Sequence, residues 1–321
     1  METKTNISIN ISAQNLSAGE KPIAMYLPMI NASKLSMDTK MISNEDNTAA
    51  KLSSNIAVEV GAMPVDMGLW IDTDLSQGNK RMKEIVQIPD MVASQVPELK
   101  GKQYVVMDLS QIMNTPGAAS IDYSKLTEIQ KTFQPKLNDF INNYIKQYNP
   151  EGIIIKKLDR KTLQVFAKTE AVDVYQLKLD DSSFKNLIKY TVNNFGDNKE
   201  AVLSFLKDYL LTIEKMTESM GQTSNMDIEK LINNISAKLP EIVAQASSGV
   251  DSLKDVKLLG DEGINIEYGV DADGYIVNET GTVQLVLDCA ALRKLAGTVD
   301  TSEVSGYTGI YTVTLNFNTD I

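Results

Sequence analysis

Val65-Asp66-Met67-Gly68-Leu69-Trp70-Ile71-Asp72 sets an apolar side chain at every second position, with Asp66, Gly68 and Asp72 between them. A period of two belongs to an extended chain with one face on a core and the other toward water. The same rhythm runs outward from this stretch. Leu52, Ile56, Val58 and Val60 alternate with Lys51, Ser53, Asn55 and Glu59. Leu35, Met37 and Met41 alternate with Lys34, Ser36, Asp38 and Lys40, and Ile7, Ile9, Ile11 and Ala13 with Asn6, Ser8, Asn10 and Ser12. One-faced alternation of this kind marks an antiparallel sheet, because parallel strands are apolar on both faces. Turn formers punctuate the runs at Asn44-Glu45-Asp46-Asn47 and Ser76-Gln77-Gly78-Asn79. Two further strands are expected over 81–88 and 103–109, with a loop or short helix over 89–100.

The period then changes to that of a helix. Leu126, Ile129, Phe133, Leu137, Phe140, Ile141, Tyr144, Ile145 and Tyr148 share one helical face, and Pro135 predicts a kink or two helices. Three strands are expected over 153–158, 163–169 and 172–179, with Asp159-Arg160-Lys161 as the hairpin turn between the first two. Asp180-Asp181-Ser182-Ser183 supplies capping residues for a second helical region. Its stripes run through Phe184, Leu187, Ile188, Thr191, Val192 and Phe195, then Val202 to Met216 beyond a break at Gly196-Asp197-Asn198, then Ile228 to Val243. Strands return at 264–270, 275–279, 282–288 and 307–317, with a loop over 296–306.

The order of strands, helix, strands, helices and strands predicts an α+β fold. A large curved antiparallel sheet, a half-open barrel, would wrap around a helical segment as one domain over 1–321. Its parts would be N-terminal strands over 1–118, a helical insertion over 119–150, middle strands over 151–181, helices on the sheet over 182–250 and C-terminal strands over 251–321.

Composition narrows the chemistry. The 321 residues carry a formal net charge of −11, which argues against nucleic acid and anionic membrane surfaces as partners. Histidine is absent, and with it the commonest general base and metal ligand. The one cysteine, Cys289, sits in an apolar run and reads as a small buried side chain. No catalytic residue, metal site or cofactor is expected. No segment reaches the roughly 18 apolar residues of a membrane span, so the chain is not expected to span a membrane. Met1-Glu2-Thr3-Lys4 is polar and has no signal-peptide core.

Several groups have rival readings. Met25, Met29, Met37, Met41, Met63, Met67, Met82, Met91, Met107 and Met113 crowd the first strands. They suit ordinary core filling, an adaptable apolar cavity or a thioether copper site; without histidine the copper reading is the weakest. Asp271-Ala272-Asp273-Gly274 resembles the start of a calcium loop but lacks its later ligands, and a tight turn with Gly274 at positive φ explains it. The pairs Asp72 with Asp74 and Asp180 with Asp181 read as solvated carboxylates rather than acid–base partners. Trp70 falls on the polar face beside Asp72, either covered by the following loop or offered to a partner or glycan.

The run from Gly68 through Leu75 with Lys80-Arg81-Met82-Lys83, then Lys102 to Asp108, Asp173 to Leu179, and Asp271 to Tyr275 before the last strands, resembles secreted or cell-surface proteins of clostridia and other Gram-positive bacteria. Their domain is similar to the LolA/LppX-like lipoprotein carriers, and some relatives join it to a copper amine oxidase N-terminal-like module. The resemblance implies an extracellular or cell-surface location and an apolar cavity between sheet and helices. The function expected is an extracytoplasmic binding protein for a lipid or other apolar small molecule. Lining candidates are Met37, Met41, Ile56, Val58, Met67, Leu69, Phe184, Leu187, Ile188 and Phe205. The alternative is a non-catalytic structural or adhesive module with a filled core, facing a cell-wall or surface-protein partner.

Overall fold

A computed structural model describes residues 1–45, 48–61, 63–74, 81–108, 110, 123–150, 155–219, 223, 226–296 and 306–321. The fold is α+β, as the periodicity predicts. Twelve strands form one large antiparallel sheet that does not close into a barrel. In chain order they are β1 (Glu2–Gln14), β2 (Lys34–Ser43), β3 (Ala49–Val60), β4 (Met63–Asp74), β5 (Arg81–Gln87), β6 (Tyr104–Asp108), β7 (Ile155–Lys157), β8 (Lys161–Val165), β9 (Lys168–Leu179), β10 (Leu259–Val270), β11 (Ile276–Asp288) and β12 (Ile310–Asp320). Their order across the sheet is β6-β5-β4-β3-β2-β1-β12-β11-β10-β9-β7, with β8 also on β9. The first and last strands therefore pair in the middle of the sheet, from Lys4 opposite Asp320 to Gln14 opposite Ile310. The two ends of the chain are sewn together there, and the remaining strands spread outward as two meanders.

The helices are α1 (Lys21–Ala24), α2 (Leu27–Asn31), α3 (Asp90–Gln95), α4 (Tyr123–Gln147), α5 (Asp181–Asp197), α6 (Lys199–Ser219), α7 (Ile228–Ser252) and α8 (Cys289–Ala296). Aspartate caps begin two of the long helices. The Asp180 carboxylate accepts from the Ser183 N–H at 2.7 Å to start α5, and Asp227 accepts from the Lys230 N–H at 2.9 Å to start α7. The break between α5 and α6 falls at Asn198, inside the Gly-Asp-Asn segment. Pro135 lies within the single helix α4, where the sequence allowed two helices. The helices pack chiefly on one another, α4 on α6, α5 on α7 and α6 on α7, and the principal contact of this group with the sheet runs from α5 to β10 and β9.

One expected turn is corrected. Asp159-Arg160-Lys161 does not join two mutually paired strands, because β7 and β8 both pair with β9. The hairpin turn lies at Phe166-Ala167, between Val165 and Lys168, with Phe166 at φ 51°. β9 is long enough, at Lys168–Leu179, to hold two short partners end to end. The other turn readings hold where they fall on described residues. Asn44 accepts from the Ala49 N–H at 2.9 Å between β2 and β3. Asp271 accepts from the N–H groups of Asp273 and Tyr275, at 2.9 and 2.8 Å, with Gly274 at φ 90°. The turn expected at Ser76–Asn79, Met113 and most of the loop expected over 296–306 lie outside the described residues.

Candidate functional site

The sheet has two chemically distinct faces. Register fixes them, since residues directly opposite each other across a ladder point the same way. One face carries a row through Val65, Val58, Leu35, Ile7, Phe317, Gly281, Ile266, Leu177 and Ile155, across nine strands. Gly281 is no gap in that row. A Cβ there would lie 2.8 Å from Phe317 Cζ, so the ring fills the space. Rows on either side add Met67, Ile56 and Met37, then Ile9, Leu315, Val283 and Ile264.

This apolar face is not covered as a core is covered. Among the described residues the buried apolar side chains are Ile88, Ala93, Val165, Val172, Val174, Leu179, Val202, Ile228, Ile232, Leu239, Val256 and Leu259. None of them lies on β1–β6, β11 or β12. On the apolar face Met41 is 40% exposed, Leu285 48% and Leu287 48%. The core proper sits elsewhere, among the helices and where β8, β9 and the start of β10 meet.

The lining candidates divide accordingly. Met37, Met41, Ile56, Val58, Met67 and Leu69 all fall on the one apolar face, with Met37, Ile56 and Met67 directly opposite one another. Leu69 stands opposite Ser54, whose hydroxyl bonds Thr39 at 2.9 Å, a polar stitch within the face. Phe184, Leu187 and Ile188 lie on α5, the helix that meets β9 and β10. Phe205 is turned into the helical group, stacked on Phe140 at 4.4 Å between ring centroids and 5.8 Å from Phe133. The strand candidates are thus brought together, and Phe205 belongs to a separate aromatic cluster.

The opposite face is polar. Asn278 donates to Asn318 at 3.2 Å and to Asp320 at 2.9 Å, Thr282 to Asn316 at 2.8 Å, Gln284 to Thr314 at 3.0 Å and Gln176 to Asn265 at 2.9 Å. Grooves run over this face. One of about 510 Å³ crosses β12, β1, β2 and β3 over Asn6, Ser36 and Asn318, and another of about 370 Å³ is floored by Trp70.

Of the carboxylates singled out in the sequence, Asp72, Asp180 and Asp181 each have a structural partner. Asp72 accepts from Arg81 at 3.0 Å. Asp180 caps α5. Asp181 accepts from the N–H groups of Leu258 and Leu259, at 2.6 and 2.9 Å, and pairs with Lys185 at 2.7 Å. Burial pushes the Asp181 carboxyl up, but Lys185 and those two N–H groups outweigh it and hold it below the usual range. Burial raises the Cys289 thiol. Among the described residues no group of three or more Cys, Asp or Glu is gathered that could hold a metal ion, and no helix is long and apolar enough to cross a membrane.

The sequence reading overlooked Glu20. Its side chain is fully buried and accepts from the N–H groups of Ser17 at 2.8 Å, Thr308 at 3.0 Å and Gly309 at 3.0 Å, and from the Tyr311 hydroxyl at 3.1 Å. A local signal was present in the capping-box spacing of Ser17 and Glu20 ahead of Lys21-Pro22; the partners Thr308, Gly309 and Tyr311 lie almost a whole chain length away.

Comparisons of the chain with protein-family models, with curated proteins and with solved structures return no match.

Proposed function

We propose that this protein is a non-catalytic binding protein that holds an acyl chain or similar apolar ligand against the apolar face of its sheet. The observation that carries this reading is that face itself: an unbroken apolar row across nine strands, with no apolar residue of β1–β6, β11 or β12 buried. On that face Ile9, Met41, Leu285 and Leu287 are 37–48% exposed, and a contiguous exposed apolar face of this extent marks a place where something binds. Methionine at Met37, Met41 and Met67 suits a ligand of variable shape, since an unbranched thioether chain adapts its rotamers to what it touches. The expected half-barrel carrier architecture and an extracytoplasmic location fit the same reading.

The test is solvent extraction of the purified protein, with mass spectrometry of the extract and of the intact protein under native conditions. A stoichiometric amphiphile bearing an acyl chain, displaced by a fluorescent fatty acid, is the expected result. A clean mass with no binding of that probe would overturn the proposal.

A further inference from the structure

Trp70 points away from the apolar face. It lies on the polar one, next to a glycine that leaves room for it. A Cβ on Gly68 would overlap the indole, within 2.7 Å of Cζ3, so the ring lies back along its own strand over residue 68. The Tyr104 ring meets it edge-on at 6.1 Å. Trp70 thus floors a groove of about 370 Å³, inside the range of roughly 300–1,000 Å³ of small-ligand sites.

The walls of that groove are chemically selective. Ile42 and Ile85 extend the apolar floor, and Ser53 and Asp72 add polar atoms. Lys40, Lys51 and Lys83 rise around it. In a chain of net charge −11 this lining has three cations and one carboxylate. Lys40 pairs with Glu2 at 2.9 Å, and Asp72 is shared between Arg81 at 3.0 Å and Lys51 at 3.9 Å. Lys83 stands in the ladder between Asp72 on β4 and Asp108 on β6, but it is within ion-pair distance of no carboxylate among the described residues, and its side chain is exposed at the groove.

We propose that this groove binds an acidic sugar unit. A flat apolar ring face would rest on the indole, hydroxyls would meet Ser53 and Asp72, and a ring carboxylate would meet the Lys83 ammonium. An ammonium–carboxylate hydrogen bond is among the stronger polar contacts available at a surface. A half-buried indole flooring an open groove suits the flat, hydroxyl-edged body of a sugar better than a flexible alkyl chain, which gains most from enclosure. This site lies on the face opposite the proposed apolar ligand, and neither reading depends on the other.

The chain contains a single tryptophan, so its fluorescence reports this groove alone. The full-length protein would be titrated with an oligogalacturonate, with a neutral gluco-oligosaccharide of equal length and with sodium sulfate. A saturable change in Trp70 emission with the acidic chain is expected, weakened by about threefold in Lys83→Gln and reduced by added salt. An equal response to the neutral chain or to sulfate, no response to any of the three, or an acidic-chain affinity unchanged in Lys83→Gln would each overturn the proposal. Calorimetric titration of Trp70→Ala, with its fold checked by circular dichroism, must show loss of the same binding.

Discussion

The Gly309 N–H donates to the Glu20 carboxylate at 3.0 Å, joining residues 289 positions apart in the sequence. This contact closes the sheet seam at one end, where the chain leaves β1 and returns to enter β12. Burial alone pushes the Glu20 carboxyl up. The N–H groups of Thr308, Ser17 and Gly309 outweigh it and hold the pKa down to about 2, from an ordinary 4.5. A carboxylate lowered in the folded state favours folding most above its unfolded pKa, and that contribution fades as pH falls toward the folded value. The stability difference between the wild type and Glu20→Gln is therefore expected to be full at neutral pH and to shrink between about 4.5 and about 2. Urea denaturation of both proteins across that interval measures it; a difference that stays constant with pH would show that the charge of Glu20 is not what matters.

Gly309 itself has no spare room. A Cβ there would lie 2.7 Å from Glu20 Oε1, 2.8 Å from Leu16 Cδ2 and 2.8 Å from Tyr311 Cε2. Gly309→Ala is expected to cost about 1–3 kcal/mol by forcing the seam apart. Gly306→Ala, three residues earlier with no described residue within 4 Å of a new Cβ, should stay within about 0.5 kcal/mol. Comparing the two urea midpoints separates crowding from a general effect of losing glycine.

Gly68→Ala tests the seat of the indole. The added methyl displaces Trp70 from its strand toward water, so the emission maximum should move to longer wavelength while the far-ultraviolet circular dichroism is kept. An unmoved maximum would mean that the ring has another resting place and that Gly68 is not what positions it.

Much of this architecture was legible because strand periodicity is a local property. Ile7 to Ala13, Leu35 to Met41 and Val65 to Ile71 announce their faces within a few residues, and register then aligns those faces across strands. The pairing of β1 with β12 was not legible, since alternation says which way a side chain points and nothing about its neighbour. The same limit explains the misplaced turn. Asp159-Arg160-Lys161 has the composition of a hairpin, yet the length of β9 lets β7 and β8 share it as a partner. Phe205 had a helical stripe like that of Phe184, but which neighbour a stripe meets is decided by helix packing, and it meets Phe140. Glu20 was legible only as a local partner of Ser17, because its other donors, at Thr308, Gly309 and Tyr311, are brought from the far end of the chain.

If the apolar face is a ligand surface rather than a core, a charge on it should be tolerated by the fold and resented by the ligand. Met37→Lys is expected to change stability by within about 1 kcal/mol and to abolish binding of a fluorescent fatty acid. Val174→Lys, at a side chain only 2% exposed, should cost on the order of several kcal/mol, because its charge has no water to solvate it. Similar losses at both positions would place Met37 in a filled core and favour the structural module.

The aromatic cluster makes a separate prediction for the helices. Phe205 of α6 stacks on Phe140 of α4 at 4.4 Å and 14° between ring planes, with Phe133 at 5.8 Å. Lys136 and Asp208 pair across the same two helices at 2.5 Å, but both are partly exposed and add little. Apolar and aromatic packing therefore holds α4 in place. Phe205→Ala is expected to cost roughly 2 kcal/mol and to free α4 before the rest of the molecule. Limited proteolysis should then cut within Tyr123–Gln147 first, while the β1–β12 seam keeps its amide protection in hydrogen exchange. Lys136→Ala should leave the cleavage rate of α4 nearly unchanged. If Lys136→Ala accelerated cleavage as much as Phe205→Ala, the ion pair rather than the ring stack would be the main tie between the two helices.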